Sequence, residues 1–350
     1  GGRVATYMKM HHALIDGITG ARMAANAMST DPSTIKAPMW ALPFGQHPTS
    51  RAKSAPPSLL QQLGNAAKVG KDILPGIGSG LWDIMRPSDA ETVGALPFQA
   101  PPTPFNVEIS GSRRFASQSY SLARFKKIGE TAGATVNDVT LAICAGALRE
   151  YLLAQHKLPK KPLVAMVPVS LHDETTAGGN QVSLLLASLA THIADPLKRL
   201  QRIVESTTHA KGRLTKMKRL EKMAHGITSI SPLGVGIVTG TAEKHPLFNL
   251  VISNVPGPRE TLYLNGARLD EAYPLSIPTH YLAMNITISG YGDNLGFGYI
   301  ACRRSVPALQ RMLDYTQNAI TELEAALGIT TPASAAPPAA KKSRKKKPVA

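Results

Sequence analysis

The stretch of the chain best equipped for chemistry is His11-His12-Ala13-Leu14-Ile15-Asp16-Gly17: two histidines, three spacers, an aspartate and a glycine. Imidazole titrates near neutral pH and either ring nitrogen can take a proton, so a histidine presented by a loop can act as a general base. Asp16 could orient such a ring, or could lock the loop by pairing with an arginine. Adjacent histidines can also simply end a strand, one ring packed and the other wet. The Asp-Gly spacing and the loop setting weigh toward the base, as do the two segments described next.

The first, Gly133-Ala134-Thr135-Val136-Asn137-Asp138, leads into an apolar helical pattern, and Asn137 or Asp138 is a natural helix cap there. The second, Ser253-Asn254-Val255-Pro256-Gly257-Pro258, ends a strand. Two prolines around a glycine freeze a turn while Asn254 carries an amide at the strand end. Each segment by itself is explained by local structure.

These residues need elements to hold them. Val4 to Met10 alternates with period two, which predicts a strand, and Ile18 to Met28 carries apolar residues at spacings of three and four, which predicts a short helix. Gly17 would allow the turn between them, placing the histidines on a strand-to-helix loop where a rigid scaffold presents reactive groups. From Asp31 to about Pro104 the composition reads as a long connection, within which Ser58 to Met85 is amphipathic: a pair of crossover helices, with a membrane-surface element as the alternative that Trp82 keeps open.

An α/β rhythm begins near Phe105. Strands are expected at Arg114–Leu122, Leu163–Val169, Val182–Ala190, Phe248–Ser253, Tyr281–Ser289 and Leu295–Ala301. Helices are expected at Ala123–Ala132, from Asp138 to about Gln155, at Pro196–Ala224, around Leu233–Ala242 and at Val306–Leu327. The Pro196–Ala224 helix would bury an apolar stripe and leave Lys198, Arg199, Arg202 and six positive charges between 211 and 222 on a solvated face, with a phosphate or lipid-headgroup contact as the minority alternative. After Gly328 the Ala/Pro/Lys composition predicts a disordered tail.

At 350 residues and 43% hydrophobic content the chain can build two substantial cores. No apolar run reaches the ~18 residues of a membrane span, and no signal-peptide pattern is present. Cys144 and Cys302 sit far apart in apolar stretches, which suits packed thiols in a reducing compartment, and neither has metal-ligand company. The net charge is +16, of which Lys341, Lys342, Arg344, Lys345, Lys346 and Lys347 supply six. Such a surface favours anionic membranes or acidic ligands. Nucleic acid is disfavoured, since no recognition module accompanies the basic tail.

HHALIDG at 11–17, TVNDVTLAICAGALREYL at 135–152 and SNVPGP at 253–258, in that order and separation, resemble the bacterial wax ester synthase/acyl-CoA:diacylglycerol acyltransferase family over about residues 1–328. The resemblance implies an α/β fold of chloramphenicol-acetyltransferase type, two domains with mixed sheets and a tunnel between them where acyl-CoA and an alcohol meet. It implies His12 as the general base, His11 and Asp16 as residues that shape its loop, and substrate-binding positions at Gly17, Asn137, Asp138, Asn254, Pro256 and Gly257. The reaction would be acyl transfer from a long-chain acyl-CoA co-substrate to diacylglycerol or a fatty alcohol, with no metal and no permanently bound cofactor. The setting would be the cytoplasm, peripheral to the inner membrane or to lipid inclusions.

The family carries a long segment ahead of its histidine motif, including an early proline-leucine-tryptophan stretch, that is absent from this sequence. The expected organisation is therefore a remnant of the first domain at 1–44, a crossover linker at 45–104, a second acyltransferase domain at 105–328 and a tail at 329–350. As an isolated truncation such a chain would lack a complete tunnel and activity; as a fragment of a longer reading frame its parent would be an active enzyme. Two alternatives remain: transfer to another acceptor, such as a polyketide alcohol or a carrier-bound amine, and an inactive fragment that binds anionic lipid surfaces.

Overall fold

The computed structural model describes residues 3–11, 17–41, 74–75, 77–79, 81–82, 95, 98–170 and 182–330. A six-stranded mixed sheet organises them: β1 (Arg113–Ser121), β2 (Val164–Ser170), β3 (Val182–Ser188), β4 (Leu250–Val255), β7 (Met284–Tyr291) and β8 (Asn294–Cys302), in the order β1-β8-β7-β4-β2-β3. The central pairs β7/β4 and β4/β2 are parallel and the outer pairs antiparallel. A small hairpin, β5 (Tyr263–Leu264) and β6 (Ala267–Arg268), stands apart. Its turn residues Asn265 and Gly266 both have positive φ, as a two-residue hairpin turn requires.

Alternation along the strands sorts two faces. Leu250, Ile252, Ile286, Ile288, Phe297 and Tyr299 point into the main core, beneath helices α2 (Leu122–Ala132), α3 (Val136–Ala154), α4 (Pro196–Thr215) and α6 (Arg311–Ala326). The fully buried Val139, Ile143, Leu148 and Leu152 of α3 meet them there. On the second face Val164, Met166, Leu186 and Val251 gather with Phe248 and with Ile230 and Leu233 of α5 (Arg219–Thr239). Two buried asparagines tie the segment before β1 to this layer: Asn249 accepts from Val164 N and donates to Pro101 O and Asn106 Oδ1, while Asn106 donates to Phe248 O and Tyr281 O.

Several expectations need correction. Residues 3–11 form no strand: they pair with no described strand, and Val4 and Tyr7 are 93% and 71% exposed. Period two fixes the face each side chain takes; it does not supply a neighbouring strand. The helix expected over 196–224 is two helices, broken where Lys218 turns extended (ψ 162°) and its N–H is taken by Glu221 of the next helix. The helix expected near 233–242 is the second half of α5, which runs through Pro232. Proline lacks the N–H that would bond the Thr228 carbonyl, and the Ser231 hydroxyl takes that acceptor instead. Helix α6 starts later than Val306 because Ala308 is left-handed (φ 55°), which no helical turn admits.

Arg199 is not on a solvated face. It is 2% exposed, donates to the carbonyls of Ile193 and Ala194 and pairs with Glu322 at 3.0 Å. Helices α3, α4 and α6 close on it, so that a side chain on Gly146 would collide with Ala319. Residues 331–350 and most of the amphipathic stretch 58–85 lie outside the described residues.

Candidate functional site

Helix α1 (Gly17–Asn26) follows directly on the histidine loop and lies on the second face of the sheet, against β4. Gly17 is its first residue and does not occupy the left-handed region, so it starts a helix rather than making the turn expected of it. A Cβ on Gly17 would sit 3.5 Å from Val255 Cγ2, an ordinary van der Waals contact. Gly17, which closes the histidine segment, and the SNVPGP segment are thereby neighbours across more than two hundred residues of chain. A second tie holds them in register: Ser29 and Tyr263 exchange backbone hydrogen bonds of 2.9 and 2.7 Å, fastening the chain after α1 to the small hairpin.

His11 is exposed at the end of the described leading segment, and His12 and Asp16 lie outside the described residues. Pro256 is exposed and Gly257 half-buried just past β4. A Cβ at Gly257 would run into the carbonyl oxygen of Gly290, so only glycine lets this turn pass over the end of β7. Asn254 shares its alternation with Leu250 and Ile252, so it takes the helix-layer face at the strand end.

The NDV segment opens α3. Neither Asn137 nor Asp138 is the cap residue expected. Thr135 is the N-cap, its hydroxyl accepting from Asp138 N at 3.2 Å while the Asp138 carboxylate accepts from Thr135 N at 3.2 Å. Asp138 is buried, accepts from the Thr207 hydroxyl at 2.7 Å, and has Lys211 Nζ at 3.8 Å. The carboxylate thus fastens α3 to α4. Asn137, one position earlier, is half-buried. Among the described residues the side-chain partners of Asp138 are Thr135, in the turn before α3, and Thr207 and Lys211 of α4, so none of them links it to Gly17 or the Asn254 turn.

The strand reading of 281–289 overlooked a polar row on the second face. Asn285, Thr287 and Ser289 alternate with Met284, Ile286 and Ile288 of the core, and in register they stand beside Val251, Ser253 and Val255. The Thr287 hydroxyl donates to Asn285 Oδ1 at 2.8 Å. The period-two alternation of polar and apolar residues in 284–289 is the signal that could have found it. Next to the row, the backbone at Ala272 and Pro274 crosses β8 so closely that side chains at Gly296 or Gly298 would strike their carbonyl oxygens. The row is therefore bordered by a strap on one side and by α1 on the other.

Among the described residues no group of three His, Cys, Asp or Glu side chains stands close enough to hold a metal ion. The two thiols differ. Burial pushes Cys144 up to about 12. Burial also pushes Cys302 up, but hydrogen bonds from Ser110 and Ser305 outweigh it and bring the thiol down to about 6.

Comparison with known proteins identifies the family. Residues 1–140 match the wax ester synthase/diacylglycerol acyltransferase catalytic domain, and residues 178–324 the WS/DGAT C-terminal domain. The chain is 43% identical over 332 residues to a probable diacylglycerol O-acyltransferase, tgs2, of Mycobacterium tuberculosis, covering 94% of this chain and 72% of that protein. It is 39% identical over 331 residues to the O-acyltransferase WSD of Acinetobacter baylyi, covering 93% and 71%. The solved wax ester synthase/diacylglycerol acyltransferase from Marinobacter aquaeolei VT8 superposes with a TM-score of 0.69 at 38% identity, over 91% of this chain and 67% of that one. The mixed-sheet fold, the two matching domain families and relatives at this level of identity lead to one conclusion: the chain belongs to the wax ester synthase/diacylglycerol acyltransferase family of acyltransferase enzymes.

Proposed function

We propose that the chain transfers a long-chain acyl group from acyl-CoA to the hydroxyl of diacylglycerol or a fatty alcohol, with His12 as the general base. The observation that supports this reading is the approach of Gly17, the residue that follows Asp16, to Val255 at the end of β4, beside a polar row. A neutral hydroxyl is a poor nucleophile near pH 7, so one positioned base is what the attack requires, and the CoA thiolate leaves readily enough that no metal is needed. His11 and Asp16 shape the loop. Pro256 and Gly257 fix the site's edge in the turn after β4, while Asn254 takes the opposite, helix-layer face and Asp138 holds the α3 terminus that carries Asn137.

The same reading includes contact with an anionic lipid surface. No described helix is long and apolar enough to cross a membrane. Helix α5, however, presents Ile227, Val235 and Val238 outward, Val238 being 88% exposed. Ser79 Oγ lies 3.0 Å from His225 Nδ1 of that helix, bringing the exposed Leu81 and Trp82 toward it. Lys216, just before α5, and Lys222, in its first turn, suit anionic headgroups. The test of the whole reading is product analysis: full chain with long-chain acyl-CoA should yield ester from diacylglycerol or fatty alcohol in preference to a carrier-bound amine or polyketide alcohol. The reverse preference would sink it.

A further inference from the structure

We propose that the cavity between helices α3, α4 and α6 is a binding site for a small organic monocarboxylate, held through two N–H groups of the Arg149 guanidinium. The cavity measures about 310 Å³, at the small end of ligand pockets. That is the volume of about ten waters, and so suits a ligand of about that many non-hydrogen atoms. It lies in the helix layer, whereas Gly17 and α1 approach the sheet from its other face.

Two guanidiniums stand in its wall. Arg149 is half-buried and donates through Nη1 to the carbonyls of Thr191 at 2.7 Å and His192 at 3.2 Å. Its Nη2 and Nε make no hydrogen bond, and no carboxylate pairs with it, among the described residues. Arg199 is buried, donates to two carbonyls and to Glu322, and keeps its Nε buried without a partner. Its Nη2 lies 3.3 Å from where a Cβ on Gly146 would sit, so glycine there leaves this guanidinium in the cavity wall. Burial holds Arg199 below its ordinary range; Glu322 opposes that, and Arg149 adds to it. Burial, Arg149 and Arg202 likewise hold His192 down. Positive charge thus faces positive charge, and of the two guanidiniums only Arg199 has a carboxylate on it.

A carboxylate on the free edge of Arg149 supplies the missing counter-charge, and two parallel N–H groups match its two oxygens. Leu153 and Ala319 offer apolar surface to the body of such a ligand. Glu150, its carboxylate held by the Asn318 amide at 2.9 Å, borders the cavity and disfavours a second negative charge, which sets a monocarboxylate above a phosphate monoester. Helix packing alone explains Gly146 against Ala319 and the Arg199–Glu322 pair. It does not explain a roomy cavity beside an arginine with no acidic partner. Binding here breaks no bond and asks nothing of the acyl-transfer reading.

The experiment is calorimetric titration of the full chain with benzoate, benzamide and phenyl phosphate, which share an aromatic ring and differ in charge. Benzoate should saturate one site at least about tenfold more tightly than either of the others, the scale of a charge-assisted bidentate bond, and should raise the melting temperature. Arg149→Lys keeps the charge and loses the fork, and should weaken benzoate about tenfold. Leu153→Glu, at an exposed position one helical turn on from Arg149, places a carboxylate where it takes the free guanidinium edge itself, and should weaken benzoate at least about tenfold. Benzoate that does not saturate, that binds no better than benzamide, or that binds both variants as tightly as wild type overturns the site. Phenyl phosphate binding more tightly than benzoate overturns the assignment to a monocarboxylate. If Arg149→Lys does not fold, Leu153→Glu decides, since it removes none of the hydrogen bonds of Arg149.

Discussion

Asp138 illustrates how one side chain can serve both a helix start and the packing of two helices. It closes the capping box with Thr135, accepts from Thr207 and is buried. Asp138→Ala should therefore destabilise the chain by about 2–3 kcal/mol, the sum of a lost cap and a lost buried charge-assisted bond, as read by denaturant unfolding. An unchanged midpoint would refute the structural role. Cys302 gives a pH prediction. Its thiol is lowered from the ordinary 9 to about 6, so the folded state favours the thiolate. The resulting stability is present in full above the unfolded thiol's titration and is lost as pH falls toward 6. Ultraviolet thiolate absorbance of the native protein should show a step near 6 that Cys302→Ser abolishes; Cys144, pushed up to about 12, should add none near neutrality. A titration with no step below 8 would contradict it.

At the scale of elements, the turn after β4 is where sequence chemistry and packing meet. Gly257 crosses the Gly290 carbonyl with no room for a Cβ, so Gly257→Ala should cost about 1–3 kcal/mol by overpacking and should depress activity by moving Val255 away from Gly17. Thermal melting together with the rate checks both; a variant as stable and as active as wild type would sink the account of this turn. The six sheet strands were legible because their apolar alternation survives in sequence, as in Leu250, Ile252 and the Ile286/Ile288 pair. The split of the long basic helix was not, since Lys216 to Lys218 carry no proline or glycine to mark it. Arg199 misled for a related reason: helical spacing cannot tell a charged side chain facing water from one facing the carbonyls of its own N-terminal turn. The polar row at Asn285, Thr287 and Ser289 was visible as alternation, but its significance depends on Gly17 arriving from the far end of the chain. Pairing across that distance is a tertiary fact that local pattern does not contain.

At the scale of the whole molecule, the proposed function joins a reactive face and a surface suited to lipid. The long-range tie through Ser29 and Tyr263, and the seating of α1 on β4, fasten the helix that follows the histidine segment to the sheet. Helix α5 covers part of the same sheet face with Ile230 and Leu233 and turns Ile227 and Val238 outward. Ile227→Ser with Val238→Ser should weaken co-sedimentation with vesicles containing an anionic phospholipid while leaving turnover of a soluble short-chain acyl donor unchanged. Undiminished sedimentation would remove α5 from the contact. The account as a whole stands on acyl transfer at the histidine loop, and its most direct measurement is CoA release from long-chain acyl-CoA in the presence of diacylglycerol or fatty alcohol, by wild type and by His12→Ala. Loss of at least about a hundredfold in kcat, the scale of a positioned general base, with an unchanged melting temperature is the predicted result. A His12→Ala variant that releases CoA into ester at the wild-type rate would contradict it.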